Sequence, residues 1–261
     1  MNYAFCAQTD PGRVRANNED ALAIDETARL AVLADGMGGY NAGEIASHMA
    51  TTLIQSELGQ WLKATELPST REVRHTIETC VANANRAIFD ASRANARYAG
   101  MGTTLVLAVF LEQHLLLGHV GDSRCYRWRD ETLVQITKDH SLLQEQLDAG
   151  WLTPAQALNS PIRNLVTRAI GVGKEVALDL REHRVQEGDV YLLCSDGLSD
   201  MVDDAQLAGV LRQGSGLTKM AETLVSKANE MGGRDNIAVV LAQASGSIEE
   251  PRLISRWLGK Q

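Results

Sequence analysis

Leu30–Ser47 reads Leu-Ala-Val-Leu-Ala-Asp-Gly-Met-Gly-Gly-Tyr-Asn-Ala-Gly-Glu-Ile-Ala-Ser, and the rest of the chain is organised around this stretch. Its apolar part, Leu30 to Ala34, predicts a buried strand that stops at Asp35. Three of the four residues after Asp35 are glycine, and a helical pattern begins near Gly43. Glycines let the backbone turn sharply and expose its carbonyl oxygens. A carboxylate beside exposed carbonyl oxygens suits a hard divalent cation, although a strand–turn–helix joint with a solvated aspartate explains the same stretch.

Length, composition and charge narrow the function classes. The chain has 261 residues, 44% of them hydrophobic, and a net charge of −8. This length permits one large domain or two small ones with a self-sufficient core. No long basic run is present, which argues against nucleic acid as the main partner. The four scattered cysteines form no Cys-x-x-Cys pair, so reduced thiols in a cytoplasmic protein are expected.

Membrane and secretion signals are absent from the sequence pattern. No apolar run approaches the roughly 18 residues that a membrane span requires. The first residues, Met1 to Cys6, lack a basic segment followed by an apolar one, so no signal peptide is predicted.

Short apolar runs separated by tight turns indicate an antiparallel sheet, because tight turns cannot join parallel strands. The predicted strands are Tyr3–Gln8, Ala21–Asp25, Leu30–Ala34, Gly102–Leu111, Leu115–Val120, Cys125–Trp128, Leu133–Ile136, Val190–Cys194 and Ile237–Ala242.

Helical patterns occupy four further parts of the chain. One helix is predicted over about Gly43–Leu62, and a second begins at Ser69 with Glu72 completing a capping box. A late helix starts near Leu217 and is stopped by Gly232-Gly233. Between strands, the weakly apolar segment from Leu142 to about Asn164 predicts short helices that form a flap over the domain.

Five aspartates share one local context, since each lies at a strand edge and all but the first have glycine adjacent or two residues away. They are Asp20, Asp35, Asp122, Asp196 and Asp235. If the strand ends meet at one edge of packed sheets, these carboxylates converge, and their repulsion would be severe without cations. Several carboxylates around divalent ions define a two-metal hydrolytic centre that activates water. Arg15 could then hold a phosphoryl group through a bidentate fork.

Seven short motifs accompany these aspartates in a fixed order. They are Arg15-x-x-Asn18-Glu19-Asp20, Asp35-Gly36-Met37-Gly38-Gly39 with Gly43-Glu44, Gly102-Thr103-Thr104, Gly121-Asp122-Ser123-Arg124, Asp139-His140-Ser141, Ser195-Asp196-Gly197-Leu198 and Gly233-x-Asp235-Asn236. With them the sequence resembles the metal-dependent protein phosphatases of the 2C type (the PPM family), bacterial branch. The resemblance extends over about Asn2 to Ala244.

The resemblance implies an α+β fold, a four-layer αββα sandwich in which two antiparallel β-sheets pack face to face with helices on both outer faces. It implies a phosphatase domain over residues 1–244, with a flap subdomain at about 141–165, and a C-terminal tail over 245–261. The implied activity is hydrolysis of phosphoserine and phosphothreonine by direct attack of a water that bridges two Mn²⁺ or Mg²⁺ ions.

The resemblance also assigns roles to individual residues. Asp35 would bridge the two core ions. The other metal ligands would be Asp196 and Asp235 at one core ion, Asp20 and the carbonyl of Gly36 at the other, and Asp122 with Asp196 at a weaker third ion. Arg15 would bind the substrate phosphate.

One departure from the family pattern concerns the proton donor. Met37 and Tyr40 stand where many family members carry a histidine, the candidate general acid. A water on the ion held by Asp122 is therefore the expected acid.

The expected partners are phosphorylated proteins, in particular those of a cognate Ser/Thr kinase, for a monomeric cytoplasmic enzyme that binds neither nucleic acid nor membrane. Two other readings remain open at this point. The chain could be a catalytically silent phosphoprotein-binding module, although such proteins typically lose metal carboxylates and none is lost here. It could also be a metal phosphoesterase that acts on small molecules.

Overall fold

The computed structural model describes residues 1–39, 42–157, 162 and 165–246. Strands and helices alternate in blocks along this part of the chain. The strands are β1 (Asn2–Asp10), β2 (Asp20–Asp25), β3 (Leu30–Met37), β4 (Gly102–Thr103), β5 (Leu105–Phe110), β6 (His114–Val120), β7 (Arg124–Arg129), β8 (Thr132–Gln135), β9 (Asp179–Arg184), β10 (Val190–Cys194) and β11 (Ile237–Ser245). The helices are α1 (Ala42–Ala64), α2 (Thr70–Ala94), α3 (Leu142–Asp148), α4 (Pro154–Ala157), α5 (Asp196–Ser199), α6 (Asp204–Arg212) and α7 (Leu217–Glu230), with a 3₁₀ turn at Ala96–Tyr98.

The strands form two sheets in which every described pair is antiparallel. The first sheet has the order β1-β11-β10-β7-β8. The second has the order β2-β3-β5-β6-β9, and β4 pairs with the end of β3. The last strand, β11, therefore lies between the first strand and β10.

Three apolar clusters separate four layers. One cluster lies between the sheets and contains Leu33, Phe110 and Leu193. A second packs α1 and α2 on the outer face of the second sheet, and a third packs α6 and α7 on the outer face of the first. The predicted four-layer αββα sandwich is confirmed.

Helix α1 begins and ends close to the predicted positions, and α2 begins directly after the predicted cap Ser69. The capping box at α2 is present, because the Ser69 side chain accepts from the Glu72 amide and the Glu72 side chain accepts from the Ser69 amide. The prediction that β3 stops at Asp35 is wrong. The strand continues through Gly36 and Met37, which pair with Thr103 and Gly102 of β4.

The remaining elements locate the flap and the chain ends. Ser141 caps α3 by accepting a hydrogen bond from the amide of Gln144 at 3.2 Å. Strand β11 ends at Ser245, one residue beyond the predicted domain boundary. The predicted tail from residue 247 onward and residues 158–161, 163 and 164 of the predicted flap lie outside the described residues. Among the described residues, no helix is long and apolar enough to cross a membrane.

Candidate active site

The five predicted aspartates lie at one end of the sandwich, where strands of both sheets finish or start. Asp20 is the first residue of β2 and is paired directly with Asp35 of β3, and side chains so opposed lie about 4.5–5.5 Å apart at Cβ. Asp196 follows β10 as the first residue of α5, and Asp235 precedes β11 by two residues. Asp122 lies in the turn after β6, so both sheets contribute carboxylates to one place.

Two glycines allow the backbone segments that carry the aspartates to approach closely. A Cβ on Gly36 would collide with the carbonyl of Gly43, so the end of β3 lies directly against the start of α1. A Cβ on Gly197 would collide with the carbonyl oxygen of Asn236. The start of α5 consequently packs on the segment that precedes β11, which brings Asp196 beside Asp235.

Asn236 fastens the N-terminal loop to this end of the sandwich. Its Oδ1 accepts a hydrogen bond from the amide of Glu19 at 2.8 Å, and its Nδ2 donates to the carbonyls of Pro11 and Asn17 at 2.9 Å and 2.8 Å. The loop that carries Arg15 is thereby held against Asp235. The side-chain amide of Asn236 thus positions the phosphate-binding candidate, a role that the sequence analysis did not identify.

A cavity of about 260 Å³ opens above the aspartates. Its lining residues are Arg15, Glu19, Asp35, Gly36, Met37, Gly38, Thr104, Asp122, Val166, Asp196, Asp235 and Asn236. Six of the seven predicted site residues line it, and the seventh, Asp20, lies buried behind Asp35, 4% exposed. Tyr40, named as a departure from the family pattern, lies outside the described residues.

Arg15 is the cationic side chain nearest the carboxylates. Its Nη2 lies 2.7 Å from Oδ2 of Asp235, and its side chain is 52% exposed. Because a guanidinium has five N–H donors, this ion pair leaves donors for an anion in the cavity. Arg13 behaves differently: its amide donates to the carbonyl of Gly233 at 2.7 Å, and its side chain lines a separate acidic cavity.

The carboxylates are electrostatically unfavourable in the absence of cations. Burial, partly offset by a hydrogen bond from Ser195, raises the pKa of Asp20 to about 7. Burial and then the charge of Asp20 raise the pKa of Asp35 well above its usual value. Burial followed by the charge of Asp122 does the same for the pKa of Asp196. Mutual repulsion of this kind is relieved by a bound cation.

The donor atoms fit divalent ions. Ser195 donates to Oδ2 of Asp20 at 2.7 Å and accepts from the amide of Ala238 at 2.9 Å, which fixes this carboxylate. The other oxygen, Oδ1, is buried with no N–H or O–H donor among the described residues, and its neighbour is the Asp35 carboxylate. The pair must therefore hold a proton or a cation. A set made only of carboxylate and carbonyl oxygens suits Mg²⁺ or Mn²⁺.

A second group of potential ligands, His119, His140 and Asp179, lies apart from this set. Nε2 of His119 is 2.8 Å from the carbonyl of Lys138, and Nδ1 of His140 accepts from the Gly121 amide at 3.1 Å. This places the proton of His140 on Nε2, which leaves its ring without a free lone pair.

The surroundings of this second group also disfavour a cation. Asp179 is paired with Arg181 at 2.9 Å, and Nη1 of Arg168 lies 3.4 Å from Nε2 of His140. A metal ion would compete with two guanidinium groups. The histidines are therefore structural, and the strand-end aspartates are the candidate metal centre.

Comparisons with known proteins agree with this geometry. A family model described as protein phosphatase 2C matches residues 12–241. The chain is 36% identical over 239 residues to the serine/threonine phosphatase stp of Listeria innocua, which covers 90% of this chain and 94% of that protein.

Solved structures show the same likeness. The serine/threonine phosphatase PstP/Ppp of Mycobacterium tuberculosis superposes with a TM-score of 0.87 at 38% identity, covering 94% of this chain and 100% of that one. A structure of the PstP catalytic domain in complex with two manganese ions has a TM-score of 0.83 at 37% identity, with coverages of 94% and 99%. The chain therefore belongs to the protein phosphatase 2C family.

Proposed function

We propose that this chain is a metal-dependent protein phosphatase that hydrolyses phosphoserine and phosphothreonine, with the strand-end aspartates as its metal ligands. Family membership gives the reaction class, and the PstP relative with two manganese ions supports the cofactor. The observation that carries the residue assignment is the convergence of carboxylates from both sheets on one cavity that Arg15 also lines.

The ligand roles are those that the family resemblance implies, and the convergence of the side chains on one cavity supports them. Asp35 lies between the carboxylates of the two sheets and would contact both core ions. The other ligands would be Asp196 and Asp235 at one ion and Asp20 with the carbonyl of Gly36 at the other. Asp122 is buried, 7% exposed, beside Asp196 and would hold a weaker third ion with it. When bound, the core ions would lower the pKa of a shared water enough to make it a nucleophile at neutral pH.

The side chains around the cavity would orient the substrate. Arg15 would bind the phosphoryl oxygens with the donors that Asp235 leaves free. Met37 and Val166 line the cavity and offer no proton to a leaving alkoxide. No histidine lines the cavity among the described residues, and a water on the ion held by Asp122 would supply the proton.

The substrates are phosphoproteins, consistent with relatives named serine/threonine phosphatases. A cognate Ser/Thr kinase as the source of these phosphoproteins, a monomeric state and a cytoplasmic location are further parts of the proposal. The acidic net charge of −8 supports a partner other than nucleic acid.

One experiment separates the proposal from its alternatives. Hydrolysis of p-nitrophenyl phosphate with Mn²⁺, and its loss with EDTA, is expected of the enzyme and not of a silent binding module. A phosphothreonine peptide should then be hydrolysed and should compete with p-nitrophenyl phosphate. If the enzyme hydrolyses p-nitrophenyl phosphate with Mn²⁺ but phosphopeptides are neither hydrolysed nor able to compete, a small-molecule phosphoesterase is favoured.

A further inference from the structure

Thr104 joins two backbone segments that carry candidate metal ligands. Its Oγ1 accepts a hydrogen bond from the amide of Asp35 at 3.0 Å, and its own amide donates to the carbonyl of Asp35 at 2.8 Å. Both backbone polar groups of Asp35 are therefore held by Thr104. The side chain is buried, 3% exposed, at the wall of the cavity.

The same side chain holds the turn that carries Asp122. Oγ1 of Thr104 shares a hydrogen bond of 2.7 Å with Oγ of Ser123, the residue after Asp122. Gly121, the residue before Asp122, has φ +103°, and a Cβ placed there would lie 2.7 Å from Cβ and Cγ2 of Thr104. The turn thus packs on the methyl group of Thr104 and hydrogen-bonds to its hydroxyl.

Thr103 offers a matched contrast. Its hydroxyl donates to the carbonyl of Asp35 at 2.9 Å and to that of Thr104 at 3.0 Å. The contacts described for Thr103 support Asp35 and strand pairing with Ile170, and none reaches the turn of Asp122. Both threonines therefore hydrogen-bond to the backbone of Asp35, but of the two only Thr104 also contacts the turn that carries Asp122.

We propose that Thr104 is a positioning residue whose hydroxyl fixes the separation between Asp35 at the core ions and Asp122 at the weaker third ion. This inference rests on the proposed function, since it takes the two aspartates as ligands of different ions. Loss of the hydroxyl frees the Asp122 turn from Asp35, which lowers affinity for the third ion and leaves the two core ions bound.

Thr104→Val is the central test because it removes the hydroxyl at nearly constant volume. Mn²⁺ is titrated by calorimetry into the metal-stripped full chain. We expect two tight ions as in the wild type and a dissociation constant for the weakest ion that is raised roughly threefold to tenfold, the scale of one hydrogen bond. In EDTA, the amide of Asp35 should exchange its hydrogen faster in this variant, a readout that is independent of activity.

Three further single variants test whether the effect runs through the Thr104–Ser123 hydrogen bond. Thr104→Ser keeps the hydroxyl and should bind the weakest ion nearly as the wild type does. Ser123→Ala removes the same hydrogen bond from the other side without touching Asp35, so it should reproduce the loss. Combined with Thr104→Val it should add little, since both changes delete one interaction. Thr103→Val should leave the weakest ion unaffected.

Three results would overturn the inference, and they can be told apart. In the first, Thr104→Val and Ser123→Ala bind the weakest ion as tightly as the wild type does, while Asp122→Ala abolishes that binding. This result refutes the role of Thr104 and leaves the assignment of Asp122 intact. If Asp122→Ala itself leaves the weakest ion in place, the assignment of Asp122 is wrong and the proposed coupling falls with it. A Thr103→Val loss as large as that of Thr104→Val also overturns the inference, because it indicates general support of Asp35.

Discussion

Asp35 is the proposed ligand whose loss we expect to weaken the metal centre most, because its carboxylate lies among those of both sheets. We expect Asp35→Asn to lower Mn²⁺-dependent turnover by at least about 100-fold, the effect of losing one preorganised charge-stabilising group. Burial and the charge of Asp20 raise the pKa of the Asp35 carboxyl, so its charged form is unfavourable in the metal-free fold. Because Asp35→Asn removes this carboxyl, the metal-free variant should melt no lower than the metal-free wild type. Turnover close to normal with Mn²⁺ would show that Asp35 is not a ligand.

Arg15 and Arg13 form a natural pair of test and control at the phosphate side. Arg15→Ala should raise KM by about 10–100-fold, since a charge-assisted hydrogen bond to the phosphoryl group is present in the ground state and the transition state alike. Arg13→Ala should change KM little, because Arg13 lines a different cavity. Steady-state kinetics on one phosphopeptide measure both, and the reverse ranking would refute the assignment of Arg15.

The third residue-scale prediction concerns proton donation. Burial and then the charge of Asp139 raise the pKa of Asp122 to about 6, so a cation there is favoured. Asp122→Ala should keep both core ions and lose much activity on an alkyl phosphopeptide. The loss should shrink for p-nitrophenyl phosphate, whose acidic leaving group needs little protonation. Comparison of kcat on the two substrates, with metal stoichiometry, is the measurement, and equal losses would exclude a proton-donor role.

At the scale of elements, the base of the flap is anchored by one histidine. The His140 amide donates to the Gly121 carbonyl at 2.9 Å, the Gly121 amide donates to Nδ1 of His140 at 3.1 Å, and the Thr167 amide donates to the His140 carbonyl at 2.8 Å. Burial, followed by the charges of His119 and Arg168, lowers the pKa of His140 from 6.5 to about 4. Protonation would put a hydrogen on the nitrogen that accepts from Gly121.

This depressed pKa gives stability a defined pH dependence. Between about 6.5 and about 4 the unfolded chain binds a proton at His140 that the folded chain does not, so the free energy of unfolding falls as the pH falls through this window. His140→Asn keeps an acceptor near Nδ1 and removes the titration. Urea unfolding should show the wild type losing about 2–3 kcal/mol more than the variant over this window. The exposed His75→Asn is the control, and equal losses in wild type and His140→Asn would contradict the prediction.

The elements that the sequence predicted are those with long apolar patterns. Helix α2 has an apolar stripe and a capping box, and β10 is a continuous buried run, so local signals sufficed. Strand β9 was missed because Asp-Leu-Arg-Glu-His-Arg is polar. Among the described strands it pairs with β6 alone, at the edge of its sheet, and it needs little apolar surface. The short helix α6 was missed although Asp203 and Gln206 form a capping box at its start.

The candidate site divides in the same way. The aspartates could be singled out because each lies where an apolar run meets a turn. The functions of Ser195 and Asn236 could not, because they reside in hydrogen bonds to Asp20 and Glu19 that join residues far apart in the chain. Both residues occur in the quoted motifs, but spacing alone carries no sign of what their side chains hold.

At the scale of the whole molecule, the aspartates make metal-free stability fall as the pH rises. Their pKa values are raised, to about 7 for Asp20 and about 6 for Asp122, so the folded chain binds more protons than the unfolded chain between about 4 and 7. The contribution of these groups to the free energy of unfolding is therefore lost as the pH rises through this range. Bound cations replace the protons and offset the repulsion.

We therefore expect Mn²⁺ to raise the melting temperature more at pH 8 than at pH 5.5. Differential scanning calorimetry with Mn²⁺ and with EDTA at each pH measures this difference, and taking the difference cancels titrations that do not involve the metal, such as that of His140. Asp35→Asn should show a smaller gain at pH 8. A gain that is the same at both pH values would contradict this account of the carboxylates.

The order of the strands has a consequence for how the protein is made. Strand β1 pairs with β11 alone among the described strands, and β11 is the last to leave the ribosome. Until residue 245 has been synthesised, β1 lacks its partner strand. Asp20 likewise lacks the neighbouring carboxylate of Asp235 until that residue has been added. A nascent chain can assemble α1, α2 and the second sheet early, yet a fragment that ends before Asp235 lacks one of the candidate carboxylates. Dephosphorylation therefore requires synthesis through β11, so a shorter ribosome-bound fragment is exposed to misfolding before it can act on any substrate.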